Sequence, residues 1–292
     1  MNSAATPGRS LARIAAALSA EQRAGLRALL TNARSPAPDD WLPLHLGPTR
    51  IGVLAPQRAA PVLAVLSGSV LRGRQLFWPA QDLTPALRSA QIQQAAERLR
   101  ELGLITGWRH EHFCCEAPVR DPLTEQGTEL FRLERAAFRF FGLRSRAVHI
   151  NGFDAEGLWC GRRAAIKPTD PGRLDNLAAG GLAAGEAYRA CAIRELFEEA
   201  GVSVMHSQGL SAAGAVHCAR VEPDGLHDEV LHIFNLELPG AFVPRNQDGE
   251  VAEFLHLAPA ALMQRLAAGE FSGDAAAVIA CALLGENQHG TN

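Results

Sequence analysis

The stretch that decides the reading is Gly180-Gly-Leu-Ala-Ala-Gly-Glu186-Ala-Tyr-Arg-Ala-Cys-Ala-Ile-Arg194-Glu195-Leu196-Phe-Glu198-Glu199-Ala-Gly201-Val202. Glu195, Glu198 and Glu199 fall at i, i+3 and i+4, so at about 100° per residue they share one face of a helix. Three carboxylates on one face repel each other, and no interspersed lysine relieves them. A hard cation would. Mg2+ or Mn2+ takes oxygen ligands and readily shares its shell with phosphate oxygens. Arg194 precedes the acids and can pair with Glu198 along the helix or with Glu186 where the helix begins. Ala190, Ile193, Phe197 and Ala200 form the opposite stripe, suited to packing on a sheet. Gly201 suits the left-handed residue that closes a helix, with Val202 supplying the hydrophobic contact of a Schellman-type end. Gly180, Gly181 and Gly185 allow close backbone approach, and their carbonyls can ligate metal.

Outward from this window, Ala147–Phe153 reads as a strand entering a turn and Gly157–Ile166 as the returning strand. A glycine-rich stretch, Pro171–Gly185, leads into the helix Ala187–Ala200. Strands follow at Ala212–Val221, Leu231–Leu238 and Glu253–His256, then helices at Pro259–Ala267 and Asp274–Leu284. The first half has another texture. Residues 1–8 are small and polar and expected to fray. Helical spacing runs from Ser10 to Ala33, and Ser35-Pro36-Ala37-Pro38 breaks it. Short strands are expected at Trp41–Leu46 and Ile51–Leu54, and helices at Ala59–Leu66 and Thr84–Leu102. In the latter, Thr84-Pro85 suits an N-cap with a first-turn proline. Leu104–Val119 reads as extended and Thr124–Phe141 as a helix. The texture changes near 140–146, dividing the chain into 1–142 and 143–292.

Composition excludes several classes. The 292 residues suffice for one large domain or two ordinary ones. Hydrophobic content of 47% and charged content of 20% are those of a globular protein. A net charge of −3 gives no bulk attraction to nucleic acid or an anionic membrane. Nearly all the positive charge is arginine, with Lys167 the single lysine. Cys114, Cys115, Cys160, Cys191, Cys218 and Cys281 form no CxxC pair, which speaks against zinc. Scattered thiols, with no secretory signal and no long apolar run, lead us to expect a cytoplasmic protein.

The window resembles the Nudix box: Gly, five residues, Glu, seven residues, then Arg-Glu-aliphatic-any-Glu-Glu-any-Gly-aliphatic. Gly180, Glu186, Arg194, Glu195, Leu196, Glu198, Glu199, Gly201 and Val202 fill every specified position. At roughly 6% per residue type, seven identities arise by chance about once in 10⁸ to 10⁹ windows. The resemblance implies an α/β fold, a Nudix α/β/α sandwich with a mixed sheet and the box as loop–helix–loop, here preceded by a smaller α+β domain. It also implies a reaction in which water attacks one phosphorus of a diphosphate linked to another moiety. In the roles it implies, Glu198 and Glu199 bind metal, Glu195 binds metal or acts as general base, and Glu186 and Arg194 are an orienting pair. Mg2+, with Mn2+ able to substitute, neutralises the diphosphate and lowers the pKa of the attacking water.

Other residues are candidates in the same scheme. Nudix proteins often carry a further acidic ligand in a loop after the box. Glu250, in Asp248-Gly249-Glu250, is the choice, with Glu222, Asp228 and Glu229 as rivals and a solvated turn as the plain alternative. Gly180 joins Glu195, Glu198, Glu199 and Glu250 as an expected metal contact. Arg162, Arg163 and Lys167 are candidates to grip substrate phosphates. The two arginines alternate across a strand, so at most one points inward. Asp175 and Asn176 are set down as substrate contacts or as loop stabilisers. His149, His217, His227 and His232 lack ligand spacing and read as structural. Trp108-Arg109-His110-Glu111 reads as core plus surface ion pairs in preference to an arm reaching the active site.

The longer context, His149-Ile-Asn-Gly-Phe153 through Asp170-Pro-Gly-Arg-Leu-Asp-Asn176, resembles the Nudix proteins related in name to thiamin pyrophosphokinase. Those carry an N-terminal α/β extension, which Gly107-Trp108-Arg109-His110-Glu111 and Arg135–Gly142 also resemble. The substrate this implies is thiamine diphosphate, or its oxidised or antimetabolite analogues, cut to the monophosphate plus phosphate. Kinase chemistry is not expected, because there is no GxxxxGK[ST] loop. Two alternatives stand: a pyrophosphatase for nucleoside diphosphate derivatives (nucleotide sugars, dinucleotides, oxidised nucleotides), and a non-catalytic ligand-sensing or interaction module. The expected partners are a small-molecule diphosphate and at most a second copy of the chain, with no nucleic acid and no membrane.

Overall fold

The computed structural model describes residues 9–285; the fraying expected at 1–8 lies outside them. The single helix expected over 10–33 is two, α1 (Arg9–Ala16) and α2 (Ala20–Asn32). The break is at Ser19, whose hydroxyl accepts from the Gln22 N–H while the Gln22 side chain accepts from the Ser19 N–H. That reciprocal box starts a new helix.

A four-stranded sheet follows, built from β1 (Leu42–Leu46), β2 (Thr49–Leu54), β3 (Val70–Arg72) and β4 (Gln75–Trp78) in the order β2-β1-β4-β3, with α3 (Ala59–Val65) inserted. β3 and β4 were not expected; β3 is exposed along its whole length and shows no alternation. In α4 (Pro85–Glu101), Thr84 caps the Leu87 N–H and Pro85 opens the first turn, as read from the sequence. The helix expected over 124–141 is instead the strand β6 (Glu129–Glu134) followed by α5 (Arg135–Phe141). Phe131 and Leu133 are buried and Arg132 is exposed, a period of two that suits pairing with β5 (His112–Glu116). The extended stretch expected over 104–119 is a strand only at β5. Trp78, Phe131, Leu133, Phe138 and Phe141 anchor one core made wholly from residues 44–143.

The second half centres on β7 (Ser145–Phe153), buried along all nine residues. With β8 (Leu158–Arg163), β9 (Leu174–Asp175), β10 (Ala178–Gly181), β11 (Ser211–Glu222), β12 (Gly225–Glu237) and β13 (Val251–Leu257) it forms a mixed sheet ordered β11-β12-β7-β8-β13. β10 pairs with β7 and β9 with β8. β12 runs parallel to β7, and the other pairings are antiparallel. A strand buried on both faces needs a layer on each. Val148 and Ile150 point to α6 (Tyr188–Ala200), where they meet Leu196 and Val202. Ala147 points the other way, to a core with α7 (Pro259–Ala267) and α8 (Gly273–Leu284). This is the α/β/α sandwich expected. Leu11, Ile14, Leu26 and Leu30 of α1 and α2 also lie in the α8 core. The division expected at 142/143 assigns these two helices to the first unit, yet they pack on the second.

Candidate active site

α6 carries the acidic cluster, and its buried face is not the stripe expected. Cys191, Ala192, Leu196 and Ala200 face the sheet together with Glu195 and Glu199, while Phe197 is 56% exposed. The helix is rotated so that two carboxylates point into the protein, where β10 and the chain beyond β8 meet them. Gly201 ends the helix at φ 65°, and its N–H reaches the Phe197 carbonyl (3.0 Å) while Val202 N–H reaches that of Leu196 (3.0 Å). Gly201 N–H to the Phe197 carbonyl is the bond of the αL cap; the two-bond Schellman pattern is not made.

Arg194 is the hub. Its Nε and Nη2 bond the two oxygens of Glu186 at 2.9 Å each, a bidentate fork. Its Nη1 bonds Glu195 at 2.6 Å and Glu198 at 3.2 Å. Both pairings considered for Arg194 are therefore made at once. Burial pushes the Glu186 carboxyl up, but the Arg194 hydrogen bonds and charge outweigh it and hold that carboxyl below its usual value. The same bonds raise the guanidinium's own pKa. Glu195 is buried, and desolvation pushes its carboxyl up despite Arg194. A Cβ on Gly180 would stand 2.0 Å from Glu195 Oε1, so the carboxylate occupies the space that only a glycine leaves.

Glu199 lies deeper, 5% exposed, and accepts the Ala179 N–H at 2.8 Å and Lys167 Nζ at 3.1 Å. Burial pushes its carboxyl up to about 8 against the pull of Lys167 and that N–H. Oxygen atoms of Glu199, Asp248 and Glu250 lie within 4.8 Å of one another. Lys167 Nζ also bonds Glu250. Glu250 is thus beside the box, as expected. Asp248, not chosen from the sequence, stands with it; the same turn carries both, and Asp248 Oδ1 accepts the Glu250 N–H at 2.8 Å. Three convergent carboxylates, oxygen-only and already drawing an ammonium between two of them, suit a hard divalent cation. Glu198 is the most open of the box acids, its side chain 42% exposed.

The expected substrate contacts are placed differently. Lys167, expected to face substrate phosphates, here turns its ammonium to Glu199 and Glu250. Arg163 points inward to Asp175 (2.5 Å) and the Thr169 carbonyl; Arg162 pairs with Glu253 on β13 (2.5 Å) and bonds the Gly172 carbonyl. Asn176 is 2% exposed and bonds His149 Nδ1 (2.8 Å) and Asn151 (2.7 Å). Asp175 takes Arg163 and the Asn176 N–H. Asp175 and Asn176 spend their polar atoms inside the protein and hold the loop ahead of the box. Glu222, Asp228 and Glu229 pair with Arg220, with Arg144 and His217, and with Ser145 respectively, away from the box helix. His217 and His227 face Asp228 and Asp274; His232 stacks on Tyr188 at 3.9 Å.

The first half also reaches this region. A Cβ on Gly181 would stand 2.2 Å from Phe113 Cζ, and Ala184 N–H bonds the His112 carbonyl at 2.8 Å. The β5–β6 hairpin therefore sits directly on the loop that precedes α6. Trp108 packs against the first core as expected, under Arg100 at 4.8 Å. Arg109 and Arg135 are close enough for their charges to act on Glu250, whose carboxyl is lowered by Lys167 and by both arginines against the effect of burial.

Residues 143–276 match the family model of the NUDIX domain. Nudix hydrolases 20 and 24 of Arabidopsis thaliana, both named chloroplastic, are each 37% identical over 174 residues. Those residues are 58% of this chain and 45% and 46% of the two relatives. The chain spans about half the length of the curated relatives it matches. Among solved structures, a Deinococcus radiodurans protein is 23% identical with a TM-score of 0.44, covering 58% of this chain and 97% of its own.

Proposed function

From the match of residues 143–276 to the NUDIX domain model, we propose that this chain is a divalent-cation-dependent hydrolase that cuts the diphosphate bond of an organic diphosphate. The observation that carries the proposal is the gathering of Glu199 with Asp248 and Glu250, beside Glu195 and Glu198 on the same helix. Glu195 is seated on Gly180, and Glu199 meets Asp248 and Glu250 within 4.8 Å. Glu195, Glu198, Glu199 and Glu250 would hold Mg2+ or Mn2+, joined by Asp248. A bound divalent cation supplies charge neutralisation for the diphosphate and a water of lowered pKa. Arg194 keeps Glu186, Glu195 and Glu198 in a fixed relative orientation. Lys167 links Glu199 to Glu250 and so ties the strand side of the site to the helix. Burial of Glu195 and Glu199 raises their carboxyls without metal, so a bound cation would offset the cost of keeping both charged.

Thiamine diphosphate or an oxidised or antimetabolite analogue is the substrate we favour, on the resemblance of 149–176 and of the first half described above. A nucleoside diphosphate derivative is the second reading. A purely ligand-sensing role is disfavoured because no box carboxylate is missing. The test is a panel of thiamine diphosphate, oxythiamine diphosphate, nucleotide sugars and dinucleotides with Mg2+ or Mn2+, with products identified. Monophosphate plus phosphate from the thiamine compounds supports the favoured reading. No cleavage of any member at any pH refutes hydrolysis.

A further inference from the structure

We propose that the cavity between the two halves of the chain is a second ligand site, one that takes a small organic phosphate with an apolar body. The site lies outside the box and goes beyond the hydrolase reading.

The cavity holds about 1150 Å3 and is walled by both halves. β2 and β5 form one side, β11 and β12 the floor, and residues 34–37, which follow α2, the other side. Backbone contacts hold these walls. Ser35 N–H bonds the Ala219 carbonyl at 2.7 Å and Ala219 N–H bonds the Ala33 carbonyl at 2.9 Å, so Arg34 lies along β11. A Cβ on Gly52 would stand 2.4 Å from the Phe141 carbonyl oxygen, and one on Gly142 would stand 2.2 Å from that of Val53, so β2 is pressed against the end of α5. Ligand sites are largely preformed and concave, mostly apolar, with a few polar groups that orient the ligand. Ile51, Val53 and Leu226 supply apolar wall here.

Charge selects the ligand. Five arginines line the cavity against two acids, an excess of three positive charges in a chain whose net charge is −3. Both acids are already taken. Asp228 is held by Arg144 at 2.9 Å and by His217 at 2.7 Å, and Glu116 by Arg146 at 2.8 Å. Arg34 and Arg50 also line the cavity, are solvent-exposed, and make no side-chain hydrogen bond or ion pair among the described residues. Like charges gathered in one cavity repel each other, and a bound anion relieves them. Guanidinium forks match phosphate oxygens in pairs, and the apolar wall suits an organic group carried on the phosphate.

The cavity is separate from the acid site. None of Glu195, Glu198, Glu199, Asp248 and Glu250 lines it. The Arg146–Glu116 pair, with side chains 8% and 13% exposed, lines both this cavity and a smaller one of about 300 Å3 that reaches Glu186, and so stands between the two. The ligand is therefore held here and not cut.

The test is calorimetric titration of the full chain with phenyl phosphate in chelator, so that the box carboxylates carry no cation and repel the anion. The wild type should bind it, more weakly as salt is added. Inorganic phosphate should bind less tightly, because it leaves the apolar wall unused. The double variant Arg34→Ala/Arg50→Ala should bind phenyl phosphate at least about 10-fold more weakly, the loss expected when charged hydrogen-bond donors are removed. It should keep the wild-type Tm, since neither side chain has a partner to lose. Arg34→Lys/Arg50→Lys keeps the charge but not the forks; it should fall between the two proteins, and it serves in place of the alanine variant should that one fail to fold. A wild type that binds no phenyl phosphate overturns the proposal. So does a folded double variant that binds it as tightly as the wild type, or equal affinity for inorganic and phenyl phosphate.

Discussion

Gly180→Ala tests the seat of Glu195 most directly. The added Cβ would lie 2.0 Å from Oε1, 2.1 Å from Cδ and 2.6 Å from Oε2 of Glu195. Ordinary contact begins near 3.4 Å, so the carboxylate must retreat by about 1.4 Å. It is the far end of a flexible side chain, so folding can accommodate the change. We expect about 1–3 kcal/mol of destabilisation, the range for overpacking, and a fall of a few degrees in Tm. Function should suffer far more. Retreat breaks the 2.6 Å bond to Arg194 and moves a candidate metal ligand by more than 1 Å, and a misplacement of that size costs about 100-fold in rate. The assay is kcat/KM for the fastest panel substrate, alongside Mn2+ affinity and thermal melting. Gly240→Ala is the control, since nothing lies within 4 Å of its Cβ position, and it should leave all three unchanged. A Gly180→Ala protein with wild-type kcat/KM and wild-type Mn2+ affinity would refute the assignment of Glu195.

Three further outcomes are expected. Glu199→Gln should cut turnover at least about 100-fold, the upper end of what loss of even an outer partner of a metal site costs, with the fold retained by circular dichroism. The wild type without metal should lose stability as pH rises. The folded Glu199 carboxyl titrates near 8 and the unfolded one near 4.3, so the folded state holds a proton that the unfolded chain releases between them. This contribution is fully present below about pH 4 and is lost progressively up to about 8, at up to roughly 1.4 kcal/mol per pH unit. Urea unfolding at pH 6 and pH 8 in chelator should show the fall, and Glu199→Gln should flatten it; equal slopes in the two proteins would contradict the buried-carboxylate account. Arg194→Lys cannot make the two 2.9 Å bonds to Glu186 together, and activity should drop about 10- to 100-fold.

Local features of the site are legible in the sequence. Helix spacing, the Glu186–Arg194 pair and the glycine that ends α6 depend on residues at most eight apart, where backbone geometry alone sets who can meet. Features that depend on a neighbouring element were misread or missed. Phe131, Leu133, Ala137, Phe138 and Phe141 satisfy a helical spacing tolerably, but β5 pairs with the first two and makes a strand of them. The apolar stripe of α6 was misjudged because periodicity reports that a helix has two faces, not which one meets the sheet. Phe197 lost that competition to Glu195 and Glu199, whose polar atoms find partners inside.

By itself, the sequence determined the acidic helix, its cap, the arginine that organises it and the chemistry such oxygens favour, because these are short-range consequences of spacing and charge. Tertiary structure decided everything that sits around that helix. It brought Lys167, Asp248 and Glu250 to Glu199 from loops flanking β8 and β13. It turned Asp175 and Asn176 inward, seated α1 and α2 on α8 across more than half the chain, and set Phe113 of the β5–β6 hairpin against Gly181. These placements come from packing a sheet with layers on both faces and a hairpin against the loop before α6. Contacts between residues far apart in the chain leave no periodic trace in it, so only the folded structure reveals which charges end up facing one another.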